Sequence, residues 1–300
     1  MTTAGYSLNI GGQLVDLDET PVMGVLNATP DSFYAGSRKQ TERDIAERAN
    51  SIIAEGGTII DVGAYSTRPG AAVVGEAEEM RRLREALTIV RREQPSAAVS
   101  VDTFRPAVMR MAAEDYGAAI INDVSGGNVN GVFGGAYESI PTGDDTGADV
   151  PPMFLLAAER RLPYILMSTD ATIEAMLMTF SRRVAQLRSL GVCDIILDPG
   201  FGFGKTIEQN YAILADLRKL SVMHLPVLVG LSRKSMIYRL LGTTPEEALN
   251  GTTALHTVAL MQGCVSILRV HDVKECVETV KIVKALAAAA TGGKSNKQTI

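Results

Sequence analysis

Arg269 and His271 stand two residues apart at the end of an apolar run, Ser266-Ile-Leu, and residues at period two share one face of a strand. A guanidinium beside an imidazole suits a multiply charged phosphate or diphosphate, which both would grip through charge-assisted hydrogen bonds. Ser66-Thr67-Arg68-Pro69-Gly70 places a second guanidinium, hydroxyls and backbone N–H groups in one loop. Taken singly, each arginine reads as solvated surface. Together they become an anion clamp only if both fall on one rim. Asn27, in Asn27-Ala-Thr-Pro-Asp31-Ser-Phe, offers a carbonyl oxygen to a hard cation such as Mg²⁺ that bridges to phosphates and keeps some of its water. Ser232-Arg233-Lys234-Ser235 opens a helix, where backbone N–H groups favour anions. Lys234 reads there either as a donor to a bound ligand or as a surface lysine.

Asp198-Pro-Gly-Phe-Gly-Phe-Gly-Lys205-Thr is glycine-rich, yet it is neither of the common nucleotide loops. A P-loop needs glycine where Pro199 stands, and a dinucleotide fingerprint begun at Gly200 meets Lys205 where glycine is required. What remains is a turn that lets a flat ligand or another backbone approach closely. Asp198 then presents a carboxylate to a donor-rich heterocycle, or simply caps the turn. No convincing Ser-His-Asp or Cys-His set stands out.

Groups so distant in sequence meet only if the chain returns repeatedly to one place. Short apolar runs end in polar residues at Asn27, Asp61, Asp102, Asn122, Asp198, Ser232 and Arg269. A parallel strand buried on both faces is apolar throughout, so its first polar residue marks its exit from the core. Between these runs lie helical patterns: Thr41–Glu55, Glu76–Gln94, a segment opened by Arg105-Pro106 and closed by Gly117, Thr172–Leu190, Thr206–Leu220, Pro245–Met261 and Val273–Ala289. Repeated β-α units predict the α/β class. An open doubly wound sheet is the alternative, but polar groups after nearly every strand favour a (β/α)8 TIM barrel with its chemistry at the strand C-termini. One domain over residues 1–300 is expected, with a core of about 20–289, an insertion at about 128–152 after strand 4 and a frayed tail at 290–300.

With 300 residues and 46% hydrophobic content, the chain is ample for one large core. A net charge of -5 makes it a poor nucleic-acid binder, because the phosphate backbone demands a basic face. Any anionic substrate must be held by locally focused arginine and lysine. The three cysteines, Cys193, Cys264 and Cys276, show no metal-like spacing, and a reducing cytosol with buried thiols is the expected setting. Neither a secretory signal nor a membrane span is visible, so a cytoplasmic enzyme without membrane partners is expected.

In order along the chain stand Asn27-Ala-Thr-Pro-Asp-Ser-Phe, Ser66-Thr-Arg-Pro-Gly, Ser100-Val-Asp-Thr103, Ile121-Asn-Asp-Val-Ser-Gly126, Asp198-Pro-Gly-Phe-Gly-Phe-Gly-Lys, Ser232-Arg-Lys-Ser and Arg269-Val-His-Asp272. This set closely resembles the dihydropteroate synthases. That family condenses 6-hydroxymethyl-7,8-dihydropterin diphosphate with p-aminobenzoate in folate biosynthesis, and sulfonamides compete with p-aminobenzoate. The resemblance implies that Asp102, Asn122, Met167, Asp198 and Lys234 surround the pterin, with Asp102, Lys234 and Asp198 as the catalytic set. It implies that Thr67, Arg68, Arg269 and His271 hold the diphosphate and Asn27 its Mg²⁺. Phe203 and Ser232 would face p-aminobenzoate, and a homodimer through the outer helices is implied as well.

Three departures from the family pattern stand out. Tyr34-Ala35-Gly36 replaces Ser-Asp-Gly, so a loop carboxylate is missing at Ala35. Met167-Ser168-Thr169-Asp170 replaces Met-His-Met, and the insertion at 128–152 has no family counterpart. A pterin-binding methyltransferase domain on the same barrel is the rival enzyme, but it has no use for diphosphate holders. A non-catalytic pterin-binding paralogue is the other alternative, supported by Ala35 and the segment after Met167.

Overall fold

The computed structural model describes residues 5–28, 38–65, 74–127 and 150–292. The chain enters through a hairpin that the apolar-run pattern does not reveal, β1 (Ser7–Ile10) and β2 (Gln13–Asp16), joined by Gly11-Gly12 at positive φ. The strands that follow are β3 (Val22–Asn27), β4 (Ile59–Gly63), β5 (Ala98–Asp102), β6 (Ile120–Asp123), β7 (Tyr164–Met167), β8 (Ile195–Asp198), β9 (Val227–Val229) and β10 (Val265–Val270). They close into an eight-stranded barrel in the order β10-β3-β4-β5-β6-β7-β8-β9, every pair parallel. The predicted (β/α)8 barrel is the architecture found.

Each barrel strand is buried on both faces, and alternation divides its residues between two cores. One set packs outward against the helices, including Ile60, Val62, Val99, Val101, Ile121, Leu166, Leu197 and Leu268. The other set, Met23, Ile59, Ile120, Ile165, Ile196, Leu228 and Ile267, fills the barrel interior. Leu8, Ile10 and Leu17 join this interior cluster, so the hairpin closes the N-terminal end of the barrel. Asn9 N–H donates to the Asp194 carboxylate at 3.1 Å and fastens that closure beside the start of β8. Fully burying one such aliphatic side chain contributes about 1.5–3 kcal/mol, so the two cores together dominate the stability of the fold.

The helices are α1 (Arg38–Ala54), α2 (Glu76–Glu93), α3 (Pro106–Tyr116), α4 (Pro152–Arg160), α5 (Ile173–Ser189), α6 (Ile207–Asp216), α7 (Ser235–Leu241), α8 (Leu249–Met261) and α9 (Val273–Gly292). Pro106 opens α3 and Gly117 closes it in the left-handed region, as its flanking residues predict. Two expected helices differ. The Thr206–Leu220 pattern is α6 followed by a 3₁₀ turn over Leu217–Met223, and α8 begins at Leu249 rather than Pro245 because Ala248 is its N-cap. Asp61 does not end its strand, since β4 runs on to Gly63; the carboxylate lies inside the barrel, where a partner satisfies it. Of the thiols, Cys264 and Cys276 are buried and Cys193 is exposed. Most of the 128–152 insertion, the 293–300 part of the tail and Ala35 lie outside the described residues. Among the described residues no helix is long and apolar enough to cross a membrane.

Candidate active site

Counting in twos from the interior cluster leads up the barrel wall to its C-terminal mouth. From Met23 the count reaches Asn27, from Ile59 Asp61, from Ala98 Asp102 and from Ile120 Asn122. From Ile165 it reaches Met167, from Ile196 Asp198, from Leu228 Ser232, and from Ile267 both Arg269 and His271. Strand parity therefore directs nearly all the predicted groups to one rim.

The floor of that mouth is a charged knot. Arg269 Nε donates to Asp61 at 2.7 Å, and its Nη2 donates to Asp102 at 2.7 Å. Asn122 Nδ2 donates to the two Asp61 oxygens at 3.3 and 3.1 Å, which turns its Oδ1 away from Asp61 as an acceptor. Asp61 is fully buried, and only the guanidinium and the amide together make that tolerable. Burial pushes the Asp102 carboxyl up to about 7; Arg269 opposes the shift and Asp61 adds to it. Burial likewise raises Asp198, against the pull of the Gly200 N–H and Lys234.

Above the floor stands His271. Ser232 Oγ accepts its backbone N–H at 3.1 Å and lies 3.1 Å from its Nδ1. Arg48 reaches from α1 to donate to His271 O at 2.7 Å and Val25 O at 3.1 Å. Burial, then Arg269 and Lys234, lower the imidazole to about 4, so it is neutral near pH 7. Arg233 faces away from the mouth. Its Nε and Nη2 clasp Asp272 at 2.9 and 2.7 Å, fixing the segment that carries Ser232 and Lys234 to the end of β10.

The glycine-rich turn after β8 forms the wall beside the segment that carries Ser232 and Lys234. Gly200 N–H donates to Asp198 Oδ1 at 2.8 Å, so Asp198 does cap the turn and also borders the mouth. Gly200 has φ 62°, and a Cβ there would stand 2.2 Å from Ser168 O, which accounts for glycine at this position. Lys234 Nζ lies 4.1 Å from the centre of the Phe203 ring, a cation–π contact. Met167 packs with Phe104 and Val124, and Tyr65 and Phe203 extend the apolar surface. After Met167 the wall is a tight turn: Ser168 Oγ donates to Asp170 at 2.6 Å and accepts Asp170 N–H at 3.0 Å.

The structure thus brings Asp102, Asn122, Met167, Asp198, Phe203, Ser232, Lys234, Arg269 and His271 to one mouth, with Asn27 exposed at its edge. Ser232 is buried and engaged by His271, rather than standing open to a carboxylate. Thr67 and Arg68 lie outside the described residues. Sequence reasoning passed over Asp61 as a partner and Lys205 altogether. The signal for Asp61 was its parity with Ile59; Lys205 had none beyond ending a glycine-rich run.

A family model described as pterin binding enzyme matches residues 23–271. The chain belongs to the pterin binding enzyme family. Within it the similarity is to dihydropteroate synthases. That of Escherichia coli (strain K12) is 39% identical over 289 residues, 96% of this chain and 97% of the other. The Xanthomonas albilineans dihydropteroate synthase solved with 4-aminobenzoic acid superposes with a TM-score of 0.81 at 32% identity, covering 95% of this chain and 99% of that one. The Yersinia pestis dihydropteroate synthase solved as a sulfonamide drug complex gives 0.76 at 34% identity, covering 94% and 100%. Dihydropteroate synthases are transferases of folate biosynthesis.

Proposed function

We propose that the chain joins 6-hydroxymethyl-7,8-dihydropterin diphosphate to p-aminobenzoate, giving 7,8-dihydropteroate and diphosphate. The observation that carries this reading is the knot of Asp61, Arg269, Asp102 and Asn122 beneath Asp198 and Lys234. A flat pterin carries donors and acceptors along one edge, and this floor offers carboxylates, an amide oxygen and an ammonium to meet them. Met167 with Phe104 and Val124 supplies an apolar surface for its ring.

The C–O bond breaks with its electron pair leaving on diphosphate, and the arylamine lone pair forms the new C–N bond. The amine then loses its proton. Asp102 offsets the positive charge that develops on the pterin methylene, while Arg269 and the His271 imidazole are assigned to the departing anion. Thr67 and Arg68 are assigned to that anion from the sequence motif. Phe203 lines the approach of the p-aminobenzoate ring, and Ser232 is assigned to its neighbourhood.

Asn27 fits a magnesium ion: it ends β3 exposed at the mouth and brings a neutral hard oxygen. Among the described residues no cluster of His, Cys, Asp and Glu could hold a metal alone, so substrate oxygens and water would complete the sphere. Bound there, Mg²⁺ would neutralise diphosphate charge. Sulfonamides are assigned to the p-aminobenzoate side of the mouth, and the protein is assigned to the cytoplasm. A second copy is the proposed occupant of the face where Leu240, Leu241, Val258, Met261, Ile282 and Leu286 lie exposed, and sedimentation velocity tests it. The function is tested by incubating the protein with both substrates and Mg²⁺. Dihydropteroate is the expected product; its absence under saturating conditions overturns the assignment.

A further inference from the structure

Lys205 is the charged residue of the glycine-rich turn that the reaction does not use. Its Nζ donates to Ser168 O at 3.0 Å, Gly200 O at 3.0 Å and Phe203 O at 3.3 Å. An ammonium has three protons, and here three main-chain carbonyls take them. One carbonyl belongs to the segment after β7 and two belong to the turn itself, so the turn is wrapped around its own lysine. The outer side is held separately: Gly202 N–H donates to Asn210 Oδ1 at 2.8 Å, and Asn210 Nδ2 donates to Thr206 O at 2.7 Å. Asn210 is buried in α6, so the turn is pinned between a helix and a strand end.

We propose that Lys205 is a positioning residue that sets where the Phe203 ring stands, and with it the affinity for p-aminobenzoate. The inference rests on the function proposed above. Asp198 belongs to β8, and its backbone is fixed by strand pairing with Met167 rather than by Lys205. Phe203 lies in the turn, and its own carbonyl is one of the three acceptors. Without the ammonium those carbonyls face one another with no donor between them, and the turn relaxes to find water. The charged groups around Nζ are Asp198 on β8, Asp170 after β7 and Lys234 after β9. Burial lowers the ammonium to about 8, with the two carboxylates opposing that shift. Loss of one donor proton therefore falls within reach of an activity assay.

The test compares wild type, Lys205→Arg and Lys205→Met in steady-state kinetics for each substrate, with calorimetry of the pterin diphosphate. Lys205→Met keeps the stem and removes all donors, and Lys205→Arg keeps the charge in a planar fork that matches three converging carbonyls poorly. The expected p-aminobenzoate KM rises in the order wild type, Arg, Met, by about tenfold at the end of the series. The pterin dissociation constant stays within about threefold. Wild-type kcat/KM for p-aminobenzoate should also fall above about pH 8, a limb absent from Lys205→Met. If Lys205→Met fails to fold, Lys205→Arg decides alone: a raised p-aminobenzoate KM with unchanged pterin affinity supports the proposal. An active wild type whose variants keep its p-aminobenzoate KM overturns the proposal only. A wild type that forms no dihydropteroate overturns the proposed function and this inference with it.

Discussion

Ser232 Oγ stands 3.1 Å from His271 Nδ1 and also 3.1 Å from the His271 backbone nitrogen, so one hydroxyl serves both ends of the same residue. The backbone N–H is a fixed donor, so the oxygen accepts from it, and the same oxygen holds Nδ1 in a second hydrogen bond. The two contacts together fix the orientation of the neutral imidazole. Ser232→Ala removes both. We expect kcat/KM for the pterin diphosphate to fall about tenfold, equivalent to one ordinary hydrogen bond, with the larger part in KM; steady-state kinetics measures it.

Asp102, pushed up to about 7 mainly by burial, makes activity pH-dependent. The ionised form is the one that offsets positive charge, so kcat/KM should rise with pH through about 7 and level above it. Asp102→Asn should lose this limb and about a hundredfold in rate, read from a pH profile. Stability has the opposite sign. The folded pKa lies above the usual 3.8, so the contribution from Asp102 is full below 3.8 and is lost as pH rises through about 7.

Lys234→Ala and Asp198→Ala each remove a group bordering the pterin side of the mouth. Each should weaken pterin binding by about one to two orders of magnitude, the worth of a charge-assisted hydrogen bond. Isothermal calorimetry with wild-type affinity for either variant would discard its assigned role.

Gly200→Ala places a methyl group 2.2 Å from Ser168 O at a positive φ. A loss of about 1–3 kcal/mol is expected from the strained backbone and the clash together. Urea denaturation should show a lower midpoint with an unchanged slope.

Chelation should abolish turnover if Asn27 and diphosphate share a magnesium ion. Excess EDTA is expected to stop dihydropteroate formation and added Mg²⁺ to restore it; full turnover in EDTA would remove the metal from the scheme.

The barrel was legible because its signal is local. Val22–Asn27 and Ile195–Asp198 show buried runs ending in polar residues, and parity alone then sends Asn27 and Asp198 inward. Asp61 shows where that rule fails. A polar residue need not mark the end of a strand when a guanidinium from the far side of the sequence, Arg269, lies within reach to satisfy it. Lys205 was illegible for a similar reason, since its partners are backbone carbonyls and no side-chain pattern records them. The hairpin at Ser7–Asp16 was missed because its alternation is short and its role, filling the barrel end with Leu8 and Ile10, is purely tertiary.

That stopper has a bearing on traffic. With the far end filled by Leu8, Ile10 and Leu17, the described barrel offers a molecule only its C-terminal end. A guest resting upon Asn122 and Asp61 is therefore expected to come and go by the end of the barrel that also carries Phe203.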